Sequence, residues 1–184
     1  MTQTWNPTIL QRDCDALTVP HGERVALTAG GEVEITQRLG SSVTVRTQMG
    51  TLLRIDGADA DALGLDPGPE TAVHVTRQTG AFDFADVMAA LRGVYDPEIP
   101  INIVDLGLVY RCDEVALDDG RRRIEIDMTM TAPGCGMGDV IARDAESAVQ
   151  RVAGVDEVDV TIVWDPPWNR ARISEAARLE LGLF

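Results

Sequence analysis

Between Glu23 and Ile55 the apolar residues fall on odd positions: Val25, Leu27, Val33, Ile35, Val43, Val45, Leu53 and Ile55, with Gly or Ser between the runs. A period of two broken by turn residues predicts short antiparallel strands, each buried on one face. The turns fall at Ala29-Gly30-Gly31 and Leu39-Gly40-Ser41-Ser42, with a third at Met49-Gly50. After Asp59-Ala60-Asp61-Ala62-Leu63-Gly64, the cluster Asp66-Pro67-Gly68-Pro69 predicts a loop, and Val73 and Val75 resume the alternation. Residues 20–80 therefore read as a small all-β domain ending in a linker at Gln78-Thr79-Gly80, and residues 1–19 as a leader segment without an assigned place.

The period then changes. Phe84, Val87, Met88, Leu91 and Val94 recur at helical spacing behind Asp83, a good N-cap, and Asp96-Pro97 ends the helix. Pro97 and Pro100 hold the residues before them extended, so Asp96-Pro97-Glu98-Ile99-Pro100 is a stiff acidic loop. A hairpin follows, from Leu106 to Leu117, turning at Asp118-Asp119-Gly120 and returning through Ile124, Ile126, Met128 and Met130 on one face. Arg121-Arg122-Arg123 opens the return strand and reads as a solvated edge. Past Thr131 a helix begins near Asp139, with Ile141, Ala145, Ala148, Val149 and Val152 as its buried stripe and Gly154 closing it. Val158–Val163 is the last strand, and Ser174 caps a short terminal helix. Residues 81–184 thus form a compact α-β-β-α-β-α domain, a three-stranded sheet covered by helices, and the chain as a whole is α+β.

Composition narrows the chemistry. A chain of 184 residues, 45% hydrophobic and 25% charged, is globular and long enough to bury a core. Its net charge of -14 repels phosphate backbones and anionic lipid, so neither nucleic acid nor membrane is an expected partner. Every basic residue is Arg, which excludes Schiff-base lysine chemistry and the P-loop lysine, and no nucleotide cofactor is expected. The first residues carry no basic run followed by an apolar run, and no segment approaches the roughly 18 apolar residues of a membrane span, so a cytoplasmic location is expected. Cys14, Cys112 and Cys135 are too few and too scattered for a disulfide framework and read as reduced thiols.

Cys135 is the sharpest chemical feature. It stands in Thr131-Ala132-Pro133-Gly134-Cys135-Gly136-Met137-Gly138, between a strand and the start of a helix, where outward-pointing amides favour a thiolate. Thr131, Pro133, Gly134, Gly136 and Gly138 shape the loop, and the glycines let a ligand or partner backbone approach closely. The plainer alternative is an inert small residue in a tight turn. One thiolate cannot hold an iron-sulfur cluster, which takes about four ligands, so any iron or cluster here must be shared with a second copy of the chain or with a partner. Asp96 and Glu98 offer oxygen ligands or a base if their loop comes close, or else are solvated acids at a helix stop. A Cys-based enzyme needs a base beside the thiol, and the only histidines, His21 and His74, lie in the β domain. Cys112 reads as packing. Trp164 and Trp168 flank two prolines, either as core anchors or as a partner-docking surface.

Asp96-Pro97-Glu98-Ile99-Pro100, Val104-Asp105-Leu106-Gly107-Leu108-Val109-Tyr110 and Thr129-Met130-Thr131-Ala132-Pro133-Gly134-Cys135 together resemble the small domain shared by metal-sulfur cluster assembly proteins, PaaD-like subunits and cytosolic iron-sulfur targeting factors. Glu34-Ile35-Thr36-Gln37-Arg38-Leu39-Gly40, Asp59-Ala60-Asp61-Ala62-Leu63-Gly64 and Trp164-Asp165-Pro166-Pro167-Trp168 narrow the resemblance to the SufT subfamily. Ser41-Ser42 and Thr51 depart from that pattern in the turns of the β domain.

The resemblance implies a bacterial accessory factor for iron-sulfur cluster assembly or delivery rather than an enzyme. Cys135 would be the functional thiolate and the transient metal ligand, Asp96, Pro97 and Glu98 the supporting acidic loop, and Trp164 and Trp168 the docking candidates. The implied cargo is iron or a labile cluster, and the implied partners are Suf-type scaffold or carrier proteins and their clients, with a homodimer as one way to share ligands. A binding-only adaptor, a thiol-dependent enzyme using His21 or His74, and a PaaD-like role confined to one oxygenase are the alternatives, the last disfavoured by the extra β domain.

Overall fold

The computed structural model describes residues 5–40, 42–66, 80–133 and 136–183, and the chain divides into two units, Met1–His74 and Val75–Phe184. The first unit holds one antiparallel sheet in the order β1-β4-β5-β6-β2-β3. Its strands are β1 (Thr8–Ile9), β2 (Cys14–Val19), β3 (Arg24–Leu27), β4 (Glu32–Leu39), β5 (Ser42–Arg46) and β6 (Leu52–Asp56). The period-two reading is visible in the register, where Val43 lies opposite Ile55 and Val45 opposite Leu53, all four buried. Because β5 and β6 lie inside the sheet, Thr44 and Arg54 of the other face are buried as well, where the alternation predicted polar exposure.

The segment expected to be a leader instead supplies two strands. β2 pairs with both β3 and β6, and β1 extends β4, with Leu10, Cys14 and Ala16 in the core. Cys and Ala carry weak apolar signals, so this alternation was hard to read before folding. A 3-10 helix, Gly57–Leu63, closes the unit. The Asp56 carboxylate caps it by accepting from the Ala58 amide at 2.8 Å, and Arg12 donates to Asp59 and Asp61, at 2.8 Å to each. Ser41, Pro67-Gly68-Pro69, Val73, Val75 and the linker residues Gln78 and Thr79 lie outside the described residues.

The second unit follows the expected order: α1 (Phe84–Arg92), β7 (Val109–Ala116), β8 (Arg122–Met128), α2 (Gly138–Gln150), β9 (Glu157–Ile162) and α3 (Glu175–Glu180). Asp83 caps α1 through the Ala85 amide at 2.8 Å, and Ser174 caps α3 through the Ala177 amide at 3.2 Å. β7 and β8 form the antiparallel hairpin, turning at Gly120 with φ 81, and β9 joins β8 in parallel after the α2 crossover. Ile124, Ile126 and Met128 are fully buried on the face against which the helices lie, and α2 packs on β9 and on α1. The three arginines of β8 and its turn are engaged within the hairpin and β9. Arg121 pairs with Asp119 and Glu157, Arg122 with Glu114, and Arg123 with Glu125 at 3.0 Å. Among the described residues no helix is long and apolar enough to cross a membrane.

Candidate functional site

The acidic loop is a preformed turn. Asp96 is only 5% exposed, and its Oδ1 accepts from the amides of Glu98 at 2.8 Å and Ile99 at 2.9 Å. The Asp96 amide donates to the Ile101 carbonyl at 3.3 Å and the Ile103 amide to Val94 at 2.9 Å, so the chain folds back on itself around Pro97, also buried. Burial pushes the Asp96 carboxyl above its usual range, opposed by those two amides. One oxygen of the side chain expected as a ligand thus holds its own loop, and Glu98, the other acid of the pair, is exposed. Just beyond, Asn102 donates to Asp105 at 2.6 Å and accepts from the Val104 and Asp105 amides, a second turn stacked on the first along the chain.

Cys135 and Gly134 lie outside the described residues. Their neighbours on both sides are placed. Thr131 is half-buried, Pro133 and Gly136 are exposed, and Met137 and Gly138 are buried. α2 starts at Gly138 with Met137 at the N-cap position and no side-chain capping bond among the described residues. A Cβ on Gly138 would make ordinary contacts with Met130 at 3.4 Å and Ile162 at 3.7 Å, which places the start of this helix against the ends of β8 and β9. Thr129, which the motif reading did not single out, is 1% exposed, and its hydroxyl has no hydrogen-bond partner among the described residues. Its amide donates to Leu108 at 2.8 Å, tying the end of β8 to the segment that follows the acidic loop.

The two tryptophans part company. Trp164 is 49% exposed, while Trp168 is half-buried with its indole Nε1 donating to the Leu106 carbonyl at 2.9 Å. Around Trp168 the C-terminal segment is tied down repeatedly. Tyr110 donates its hydroxyl to the Pro166 carbonyl at 2.9 Å, the Ser174 amide bonds Asp105 at 2.8 Å, and the Arg172 guanidinium sits 3.9 Å over the Tyr110 ring. Gly107, with φ 69, makes room for this, since a Cβ there would stand 2.4 Å from the Arg172 carbonyl oxygen. A glycine between two leucines was the available signal, but nothing in the sequence said what would lie against it.

The remaining cysteines are poorly suited to thiolate chemistry. Burial, reinforced by Asp113, pushes the Cys112 thiol up to about 11, and burial raises that of Cys14 as well. Among the described residues no group of three or more His, Cys, Asp or Glu side chains is placed to hold a metal ion.

A family profile described as iron-sulfur cluster assembly protein matches residues 85–161, within the second unit. A Porphyromonas gingivalis protein named Fe-S protein maturation auxiliary factor is 45% identical over 99 residues, covering 54% of this chain and 90% of the relative. The Staphylococcus aureus Fe-S protein maturation auxiliary factor SufT is 39% identical over 90 residues, covering 49% of this chain and 98% of the relative. A conserved hypothetical protein from Thermotoga maritima, of known structure, is 36% identical, covering 57% of this chain and 99% of that one, with a TM-score of 0.45.

Proposed function

Because the chain belongs to the iron-sulfur cluster assembly protein family, we propose that it is an accessory factor that helps assemble clusters or deliver them to client proteins, with Cys135 as its working thiolate. The observation that carries the cysteine assignment is the start of α2. It opens three positions after Cys135 with no side-chain capping bond from Met137, so the positive end of a 13-residue helix is available to stabilise a thiolate there. Support also comes by contrast, since the other two thiols are held protonated by burial.

Cys135 supplies one ligand to iron or a labile cluster in transit, the remaining ligands coming from a second copy, a Suf-type scaffold or carrier, or the client itself. The cluster is cargo, held only during transfer, and the role is non-catalytic and cytoplasmic. Thr131, Pro133, Gly134, Gly136 and Gly138 are assigned to shaping the loop for a partner, and the turn built by Asp96, Pro97 and Glu98 leaves Glu98 exposed to one. Trp164 is the docking residue of the pair, and Trp168 the anchor that holds its segment in place.

The test is the activity of an iron-sulfur enzyme such as aconitase, beside a cluster-free control enzyme, in iron-stressed deletion cells carrying wild type or Cys135→Ser. Loss confined to the cluster enzyme with the serine variant supports the thiol role. Full activity with the serine variant, in a background where deletion itself is harmful, overturns it and leaves the docking surfaces as the functional part.

A further inference from the structure

The three-stranded sheet ends at β9, and nothing among the described residues pairs with its outer side. The Val163 amide donates to the Met128 carbonyl at 2.8 Å, which by the alternation of a parallel ladder turns the main-chain groups of the odd residues toward β8. The amides and carbonyls of Val158, Val160 and Ile162 therefore point to the open side. Edges of this kind are usually blunted by a bulge, a proline or charged side chains; β9 has neither bulge nor proline, and its two charges, Glu157 and Asp159, are both acidic and share one face. The opposite edge, β7, is protected, with a register irregularity between Val109 and Arg111, exposed charges at Arg111 and Glu114, and Tyr110 tied to Pro166.

The two faces of β9 differ in chemistry. On the helix side Val158, Val160 and Ile162 continue the rows of Ile124, Ile126 and Met128 but remain half-exposed, so the apolar layer stops short at this edge. On the other side Glu157 and Asp159 alternate with them, and the register lines up Asp113, Glu125 and Asp159 in one row across the sheet. Arg111 and Arg123 attend Glu125, and Glu157 has Arg121, whereas Asp159 has no cation among the described residues. Directly opposed like charges cost stability, and a cation added beyond Asp159 would relieve that row.

We infer that the β9 edge is a strand-addition site for an extended segment of a partner protein, with basic residues alternating with apolar ones. Main-chain bonds to Val158, Val160 and Ile162 supply the affinity, the apolar side chains complete the layer over the helices, and the basic ones meet Asp159 and Glu157. A second copy of the chain fits worse, because β9 against β9 brings Glu157 and Asp159 of both copies together on one face. This inference is independent of Cys135 and of cluster chemistry.

The full-length protein is titrated with a fluorescent capped nonapeptide alternating Val with Arg, and with its Val/Glu counterpart, while backbone amide exchange is followed by NMR. Binding of the Arg peptide with protection of the Val158, Val160 and Ile162 amides, and about tenfold or greater weakening with the Glu peptide, is expected. Val160→Pro removes only an outward-facing N–H, which an edge strand tolerates, and should weaken binding by about tenfold or more. Asp159→Arg, at an exposed position, should erase the preference for the basic peptide, and it decides the matter with the wild-type amide protection if the proline variant fails to fold. Unprotected amides at saturating peptide, equal binding of both peptides, or undiminished binding by a folded Val160→Pro overturns the inference. So does concentration-dependent dimerisation that Val160→Pro abolishes, which would make the occupant a second copy.

Discussion

The indole Nε1 of Trp168 donates to the backbone carbonyl of Leu106 across 2.9 Å, closing a loop of sixty-two positions between the C-terminal segment and the turn that follows the acidic loop. Leu106 is fully buried, and its neighbours on either side are bound to the same segment, Asp105 through the Ser174 amide and Gly107 by close approach to Arg172. The tryptophan thus satisfies a carbonyl in a loop with no strand partner of its own, and the loop in turn carries the Leu108 carbonyl that receives the Thr129 amide. The end of β8, from which the cysteine loop departs, is steadied by the C-terminal segment through two hydrogen bonds in series.

Stability should report this arrangement directly. Gly107→Ala puts a Cβ 2.4 Å from the Arg172 carbonyl oxygen at a positive φ, so it should cost about 2–4 kcal/mol and lower the thermal midpoint by several degrees. Trp168→Phe keeps most of the ring but removes the donor, and should cost about 1–2 kcal/mol. Calorimetry on both variants checks the order. A Gly107→Ala protein as stable as wild type would mean that the C-terminal segment does not lie against this loop.

Thiol reactivity should separate the three cysteines. With Cys112 pushed up to about 11 and Cys14 also raised by burial, both remain protonated at pH 7.5 and should resist iodoacetamide in the native protein, while Cys135 reacts. Denaturation should render all three labile. Peptide mapping after a short alkylation pulse reads this out, and native labelling of Cys112 ahead of Cys135 would reverse the assignment.

Much of this was readable before folding because local rules decide it. Asp83 and Ser174 cap the helices they were expected to cap, Gly120 turns the hairpin, and the odd-position rule picks the core of β4, β5 and β6. What escaped depends on contacts distant in sequence. β2 was missed because Cys14 and Ala16 gain their burial only between β6 and β3. Trp164 and Trp168 looked equivalent, and only a carbonyl sixty-two positions upstream distinguishes the anchor from the exposed ring. The same holds for Thr129, which opens one of the quoted motifs but whose buried hydroxyl depends on its place just past the end of β8.

The buried carboxyl of Asp96 makes a prediction about pH. Its folded pKa lies above its ordinary value of 3.8, so the folded state holds this proton more tightly than the unfolded chain does. The stabilisation from protonated Asp96 is therefore full below pH 3.8 and is lost as pH rises through the folded pKa, the reverse of a salt-bridged carboxylate. Asp96→Asn preserves an acceptor for the Glu98 and Ile99 amides and removes the desolvated charge, so it should be neutral to mildly stabilising at pH 7 and should flatten this part of the stability curve. Asp96→Ala leaves both amides without their acceptor and should cost about 2 kcal/mol or more. Urea unfolding of the three proteins between pH 4 and 7 provides the comparison. A loss of stability in Asp96→Asn equal to that in Asp96→Ala would show that the charge, and not the acceptor, holds the turn.

The α2 terminus offers a test of the thiolate that does not depend on cluster transfer. Asp139 stands exposed in the first turn of α2, four positions after Cys135 in sequence, where its carboxylate complements the helix dipole and would oppose the proposed Cys135 thiolate. Asp139→Asn removes that opposition and should shift Cys135 alkylation to lower pH, while costing the helix about 0.5 kcal/mol. Asp139→Arg should shift it further in the same direction. The pH dependence of Cys135 alkylation, followed site by site, measures both shifts, and far-UV circular dichroism verifies that α2 persists. If both variants keep their helix and the Cys135 profile does not move, the cysteine is not electrostatically coupled to the start of α2. Its reactivity would then have to come from elsewhere in the loop, which a companion scan of Thr131, Pro133 and Gly136 would locate.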